Sequence, residues 1–212
     1  GVPESGIPAA EGFARASGIP YGQGLVKNRY IGRSFIAPTQ SLRAATVRMK
    51  LNPLRDNLVD QRLVVVDDSI VRGTTTRSMI RMLREAGAAE VHLRVSSPPY
   101  RWPCFYGMDT GSRAELLAAN LTVDEIQRYL EVDSLSYLSI DRLLEATGAT
   151  GAGFCNACLT GDYPVEIPAD LAEGMFEAIG KVKDLERPGT PVSVGYGHEL
   201  PTEDASRLFP RA

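Results

Sequence analysis

The sequence is short of the residues on which several chemistries depend. Three cysteines in 212 residues are too few for a disulfide framework and point to a reducing, cytoplasmic setting. An excess of positive charge is also missing. The net charge of -3 excludes general attraction to nucleic acid or anionic membrane. No apolar run is long enough to cross a bilayer, and no basic-then-apolar leader opens the chain. What remains is ordinary for a globular protein, 43% hydrophobic and 23% charged, with length for one sizeable domain and a tail.

The pattern of elements alternates. Residues 7–18 are alanine-rich and helical, with Gly18 as C-cap. Residues 19–38 mix short apolar pieces with Gly, Lys and Arg and read as an extended excursion, and 41–51 as a short basic helix. The apolar run 62–67 suits a strand buried on both faces. A helix follows over 74–86, closed by Gly87, then a strand over 90–97. Helices are expected at 114–119, 122–130 and 139–148, two of them opening on Thr or Ser N-caps, with a strand at 134–139. Alternation of this kind predicts an α/β domain with a mainly parallel sheet flanked by helices. Gly1 is not a methionine and "GVPESG" reads as a strand end entering a loop, so a chain truncated on its N-terminal side is expected. The expected domain covers 1–168, and 169–212 is a Pro-, Gly- and charge-rich tail.

One stretch breaks the rules for a core strand. In "VVVDDSIVRGTTT" three valines run into two adjacent carboxylates, Asp67 and Asp68. Gly73 then supplies a residue free to take positive φ, and Ser69, Thr74, Thr75 and Thr76 supply hydroxyls before a helix begins. Ligands in open α/β sheets bind beyond the carboxyl ends of strands. A glycine-hydroxyl loop at a helix N-terminus forms an anion cradle, and carboxylates beside it accept hydroxyls. A sugar phosphate fits this pair. The stretch is neither a P-loop nor a GxGxxG turn. An Asp-rich capping turn is the plain alternative, but it leaves the coincidence of both carboxylates with the loop without a reason.

This stretch is similar to the phosphoribosyl-pyrophosphate (PRPP) signature of type I phosphoribosyltransferases. Together with "GVPESGIPAA", "GIPYGQGLVKNRYIGRSFI", "SSPP", "CFYGMDTGSRAELLAAN" and "CLTGDYPVEIP", it resembles the amidophosphoribosyltransferases over residues 1–168. The resemblance implies a type I phosphoribosyltransferase fold with a flexible loop. It also implies transfer of glutamine-derived ammonia to PRPP in the first committed step of purine synthesis. Asp67 and Asp68 would hold the ribose hydroxyls and Mg²⁺, with Ser5 near the metal and Glu4 and Ser5 under the pyrophosphate. Ser69, Arg72, Gly73, Thr74, Thr75 and Thr76 would hold the 5′-phosphate, and Lys27 and Arg29 would close over PRPP. Arg48 and Lys50 suit pyrophosphate or a regulatory nucleotide. The chemistry asks for no protein nucleophile, and His92 and His198 read as structural or incidental. The implied glutaminase half, which supplies ammonia, has no counterpart here. The resemblance further implies a homotetramer inhibited by purine nucleotides. A PRPP-binding regulator without catalysis, or a nucleobase salvage transferase, are the rival readings.

The cysteines form a second pattern, Cys104 in "WPCFYG" and Cys155 and Cys158 in "CNAC". Spacing alone fits zinc, a redox pair, an iron–sulfur site or inert thiols. Resemblance to the iron–sulfur branch of the family implies a [4Fe–4S] cluster whose fourth ligand lies outside this chain.

Overall fold

The computed structural model describes residues 1–28, 30, 50–108, 110, 112–148 and 153–168. Arg29, Arg48, His198, most of the expected 41–51 helix and the whole 169–212 tail lie outside them. In chain order the elements are α1 (Gly6–Ser17), β1 (Leu25–Lys27), β2 (Leu51–Pro53), β3 (Arg62–Asp67), α2 (Thr74–Glu85) and β4 (Glu90–Val95). They continue with α3 (Leu117–Asn120), α4 (Val123–Leu130), β5 (Ser134–Tyr137), α5 (Ile140–Ala146) and α6 (Ala157–Thr160).

The sheet follows from the apolar runs. Strands β3, β4 and β5 lie side by side in that order and pair in parallel, as the alternation with helices predicts. Ala10 is buried on α1, which packs on β3, and the Met79, Ile80, Met82 and Leu83 side of α2 faces the same core as Val91 and Leu93 of β4. Ile126 and Leu130 of α4 close it beside β5. Burial of these fully enclosed aliphatic chains contributes about 1.5–3 kcal/mol each.

Local chemistry sets the ends. Helix α1 stops at Gly18, at φ 75°, whose N–H donates to the Ala14 carbonyl. At the start of α4 the Thr122 hydroxyl accepts from the Glu125 N–H, while the Glu125 carboxylate accepts from the Thr122 N–H. Ser139 caps α5 in the simpler way, its hydroxyl accepting from the Arg142 N–H.

Two segments differ from expectation. Leu51–Pro53 is strand, antiparallel to β1 with Leu25 opposite Pro53 and Lys27 opposite Leu51. The expected 114–119 helix is broken into a 3₁₀ turn at Arg113–Glu115 and the short α3, with Leu116 extended between them at φ -80°, ψ 116°. The break has a local cause. The Asn120 side-chain amide donates to the Arg113, Ala114 and Leu116 carbonyls, and the Leu117 N–H is drawn off to Val71.

Candidate functional site

Strand β3 passes from exposed Arg62 to buried Asp67, so its carboxyl end delivers a charge to the core boundary. Asp67 is 9% exposed, and burial, with repulsion from Asp68, pushes its carboxyl up to about 7. The Asp68 N–H donates to Asp67 Oδ1 at 3.0 Å, and the Ser69 N–H donates to Asp68 Oδ1 at 2.7 Å. Neither aspartate enters an ion pair among the described residues. The Gly1 amino group draws Asp67 down, but by less than burial and Asp68 push it up.

Neighbouring strands finish this edge. Asp67 pairs with Val95 and Val95 with Tyr137, giving one cross-strand row. Ser96 follows at once, its N–H donating to the Asp67 carbonyl at 2.9 Å and its hydroxyl to the same oxygen at 3.2 Å. Ser96 lies outside the 64–76 motif, although its place just past a parallel strand is a usable signal in the sequence.

The loop after Asp68 is fixed from below. Ile70 is 2% exposed and anchors it in the core. The Val71 carbonyl accepts the Leu117 N–H at 2.8 Å. Gly73 opens α2 at φ 75°, and a Cβ there would lie 2.6 Å from Leu117 Cδ2 and 3.3 Å from Tyr129 Cε1. Only glycine meets both demands. Thr74, Thr75 and Thr76 form the first helical turn, whose N–H groups have no acceptor within the helix. Arg72, expected to face phosphate, is engaged by Glu115, with its Nη2 and Nε each 2.6 Å from Oε2.

The N-terminal loop reaches the same edge. Gly6 sits so close to β3 that a Cβ would stand 2.6 Å from the Val66 carbonyl oxygen and 3.2 Å from Asp67 Cα. The Val2 N–H donates to that Val66 oxygen at 2.8 Å, and the Pro3–Glu4 peptide is cis. Glu4 and Ser5 are exposed directly before α1. Lys27, at the end of β1, places its Nζ 3.2 Å from Glu4 Oε2, and the Lys50 carbonyl accepts the Asn28 N–H next to it. Glu4, Ser5, Lys27, Asp67, Asp68 and the 69–76 loop are thereby gathered around the carboxyl end of β3. His92 stands apart in β4, 6% exposed, with its ring nitrogens 2.9 Å from Ser134 Oγ and 2.9 Å from Glu90 Oε2.

The cysteines form a separate locality. All three thiols are free, and burial, with the neighbouring thiols of Cys104 and Cys155, pushes Cys158 up. The Arg101 and Trp102 N–H groups donate to the Cys158 carbonyl at 3.1 and 3.0 Å, and the Tyr163 hydroxyl donates to the Pro103 carbonyl at 2.7 Å. The Tyr106 N–H donates to Cys104 Sγ at 3.4 Å. Among the described residues no three His, Cys, Asp or Glu side chains converge as ligands for a single ion.

No family model matches the chain. It is 61% identical over 168 residues to the amidophosphoribosyltransferase of Synechocystis sp., covering 79% of this chain and 34% of that protein. The amidophosphoribosyltransferase of Methanothermobacter thermautotrophicus is 53% identical over 178 residues, covering 84% and 37%. The chain thus spans little more than a third of these curated relatives. Among solved structures, glutamine PRPP amidotransferase from B. subtilis, complexed with ADP and GMP, superposes with a TM-score of 0.70 at 52% identity, covering 79% of this chain and 38% of that one.

Proposed function

The chain is homologous to the C-terminal, phosphoribosyltransferase part of the amidophosphoribosyltransferases, and from that premise we propose that it binds PRPP with Mg²⁺ and presents it to ammonia. The transfer yields 5-phosphoribosylamine and pyrophosphate. The observation that carries the proposal is the meeting of two adjacent carboxylates, neither in a side-chain ion pair among the described residues, with a glycine-opened helix N-terminus at one strand end.

Each residue has a task in that reading. The N–H groups and hydroxyls of Ser69 to Thr76 hold the 5′-phosphate, favoured by the positive end of α2. Asp67 and Asp68 accept the ribose hydroxyls, which fixes C1 relative to the rest of the site. Adjacent hard oxygen donors outside any side-chain ion pair suit Mg²⁺, which when bound would offset negative charge on the leaving pyrophosphate. The Glu4–Ser5 loop underlies the pyrophosphate, and Lys27, now paired with Glu4, turns to it on closure. Arg29 joins Lys27 in excluding water. Arg72 positions the loop through Glu115.

The finer proposals concern the rest of the protein. Residues 1–168 make the transferase domain, with 169–212 a tail outside it. Purine nucleotides, like the ADP and GMP in the B. subtilis relative, act as inhibitors, with Arg48 and Lys50 as candidate contacts, and the enzyme is a tetramer. Cys104, Cys155 and Cys158 hold a [4Fe–4S] cluster as a structural staple, with a fourth ligand from elsewhere. The nearness of the Cys104 and Cys155 thiols to Cys158, and a backbone N–H donated to Cys104 Sγ, support this donor set.

The deciding experiment is Asp68→Asn in the full-length enzyme. Ammonia-dependent and glutamine-dependent synthesis should both collapse, and PRPP binding weaken, while glutamine hydrolysis survives. Unchanged turnover of PRPP with ammonia would sink the assignment.

A further inference from the structure

Glu131 leaves α4 with its backbone in the left-handed region, φ 62° and ψ 36°. Glycine or asparagine fills that position at less cost. The side chain is nevertheless heavily engaged. Glu131 Oε1 accepts from Arg77 Nη2 at 2.8 Å and from Arg81 Nη2 at 2.5 Å. Hydrogen bonding from Arg81, and then from Arg77, holds its carboxyl down to about 2. Arg84 adds a bond to the Glu131 carbonyl at 3.1 Å and one to Asp133 Oδ2 at 2.6 Å. Three arginines on one side of α2 therefore fasten onto the turn between α4 and β5.

The same group reaches the anion loop. The Arg77 guanidinium carbon lies 4.6 Å over the Tyr129 ring. Tyr129 Cε1 in turn stands 3.3 Å from the Cβ position of Gly73, the residue that opens α2. The Arg77 N–H donates to the Gly73 carbonyl at 2.8 Å. Glu131, Arg77, Tyr129 and Gly73 form a continuous brace from the far end of α4 to the first turn of α2.

We infer that Glu131 is a positioning residue for the anion loop. Through Arg77 and Tyr129 it sets how α2 lies against α4, so that the N–H groups of Thr74, Thr75 and Thr76 face the bound phosphate ester. This rests on the loop being the phosphate seat. Surface ion pairs of this exposure contribute little to stability by themselves. Their convergence on one residue in an unfavourable backbone conformation points instead to geometry.

Glu131→Gly separates the two roles, since it relieves the left-handed backbone while removing the clamp. In the full chain its melting temperature should match or exceed the parent's. The amides of residues 77–80, the first that hydrogen-bond back into the opening turn of α2, should exchange about tenfold faster without ligand, and affinity for ribose 5-phosphate and PRPP should fall about tenfold. Glu131→Gln, which keeps an acceptor oxygen, should recover part of both losses. Parental exchange and parental affinity in Glu131→Gly would overturn the inference. Should that variant not fold, Arg77→Gln is read the same way, and a folded Arg77→Gln chain with parental exchange overturns it equally. Faster exchange in a chain whose parent binds neither ligand would uphold the brace and discard the phosphate seat.

Discussion

The Lys27 ammonium lies 3.2 Å from the Glu4 carboxylate, joining the end of β1 to the loop before α1 across the mouth of the site. The side chains are 27% and 50% exposed, so the pair is worth only about 0.5 kcal/mol to folding. Its position matters more. Lys27→Met should leave the melting temperature nearly unchanged while lowering the rate of PRPP turnover with ammonia by a factor of about 100. A full-rate Lys27→Met enzyme would remove this lysine from the site.

Asp67 makes stability depend on pH in a definite direction. The folded carboxyl keeps its proton to about 7, whereas the unfolded value is 3.8. Folding takes up a proton between those values, so this contribution is complete below about pH 4 and lost as pH rises through 7. Asp67→Asn escapes the loss and should exceed the parent at about pH 8 by at most about 4 kcal/mol. Melting curves between about pH 5 and 8 test this, a range above the window of Glu131, held down to about 2. A parent whose melting temperature climbs across that range contradicts it. PRPP with Mg²⁺ should recover the loss in the parent and not in Asp67→Asn.

Two of the closely packed glycines, Gly6 and Gly73, give a ranking. At Gly6 an added Cβ meets backbone, 2.6 Å from the Val66 oxygen, where nothing can turn aside. At Gly73 it meets the end of a leucine side chain, which can. Gly6→Ala should cost about 3 kcal/mol and Gly73→Ala about 2 kcal/mol by denaturant melts. Gly73→Ala should still lose more phosphate-ester affinity than its stability change explains, and a parental affinity there would argue against the loop as cradle.

For the cysteines the expected outcome is a colour. The full-length protein purified without oxygen should be brown and carry iron and sulfide in near-equal amounts. Cys158→Ser should lose both and resist denaturant less well. Zinc without sulfide in the anaerobic protein would overturn the cluster.

Much of this was legible in the residues, for reasons that differ by element. The run 62–67 and the helix from Thr74 matched because buried parallel strands need unbroken apolar residues, and Met79, Ile80, Met82 and Leu83 recur at helical spacing. The gathering of Glu4, Ser5 and Lys27 near Asp67 came from the family resemblance, since three residues so spread in sequence carry no local signal. Leu51–Pro53 escaped because its strand character lies in its pairing with Leu25–Lys27. The PRPP-binding role of Arg72 came from the family resemblance, whereas its ion pair with Glu115 becomes visible only after Asn120 breaks the helix that would have carried Glu115 away. Glu131 was invisible for the same reason, as its arginines lie on another helix.

The hold of residues 153–168 on the loop before Cys104 has an optical consequence. Trp102 is the one tryptophan in the sequence, its indole lies under the Arg113 guanidinium at 3.9 Å, and it is pressed so closely by Gly161 that a Cβ there would stand 2.7 Å from the ring. Tryptophan emission from this chain therefore reports on one joint, the seam that brings Cys158 to Cys104. Loosening that seam by substitution uncovers the indole to water and shifts its fluorescence to the red, with no label added.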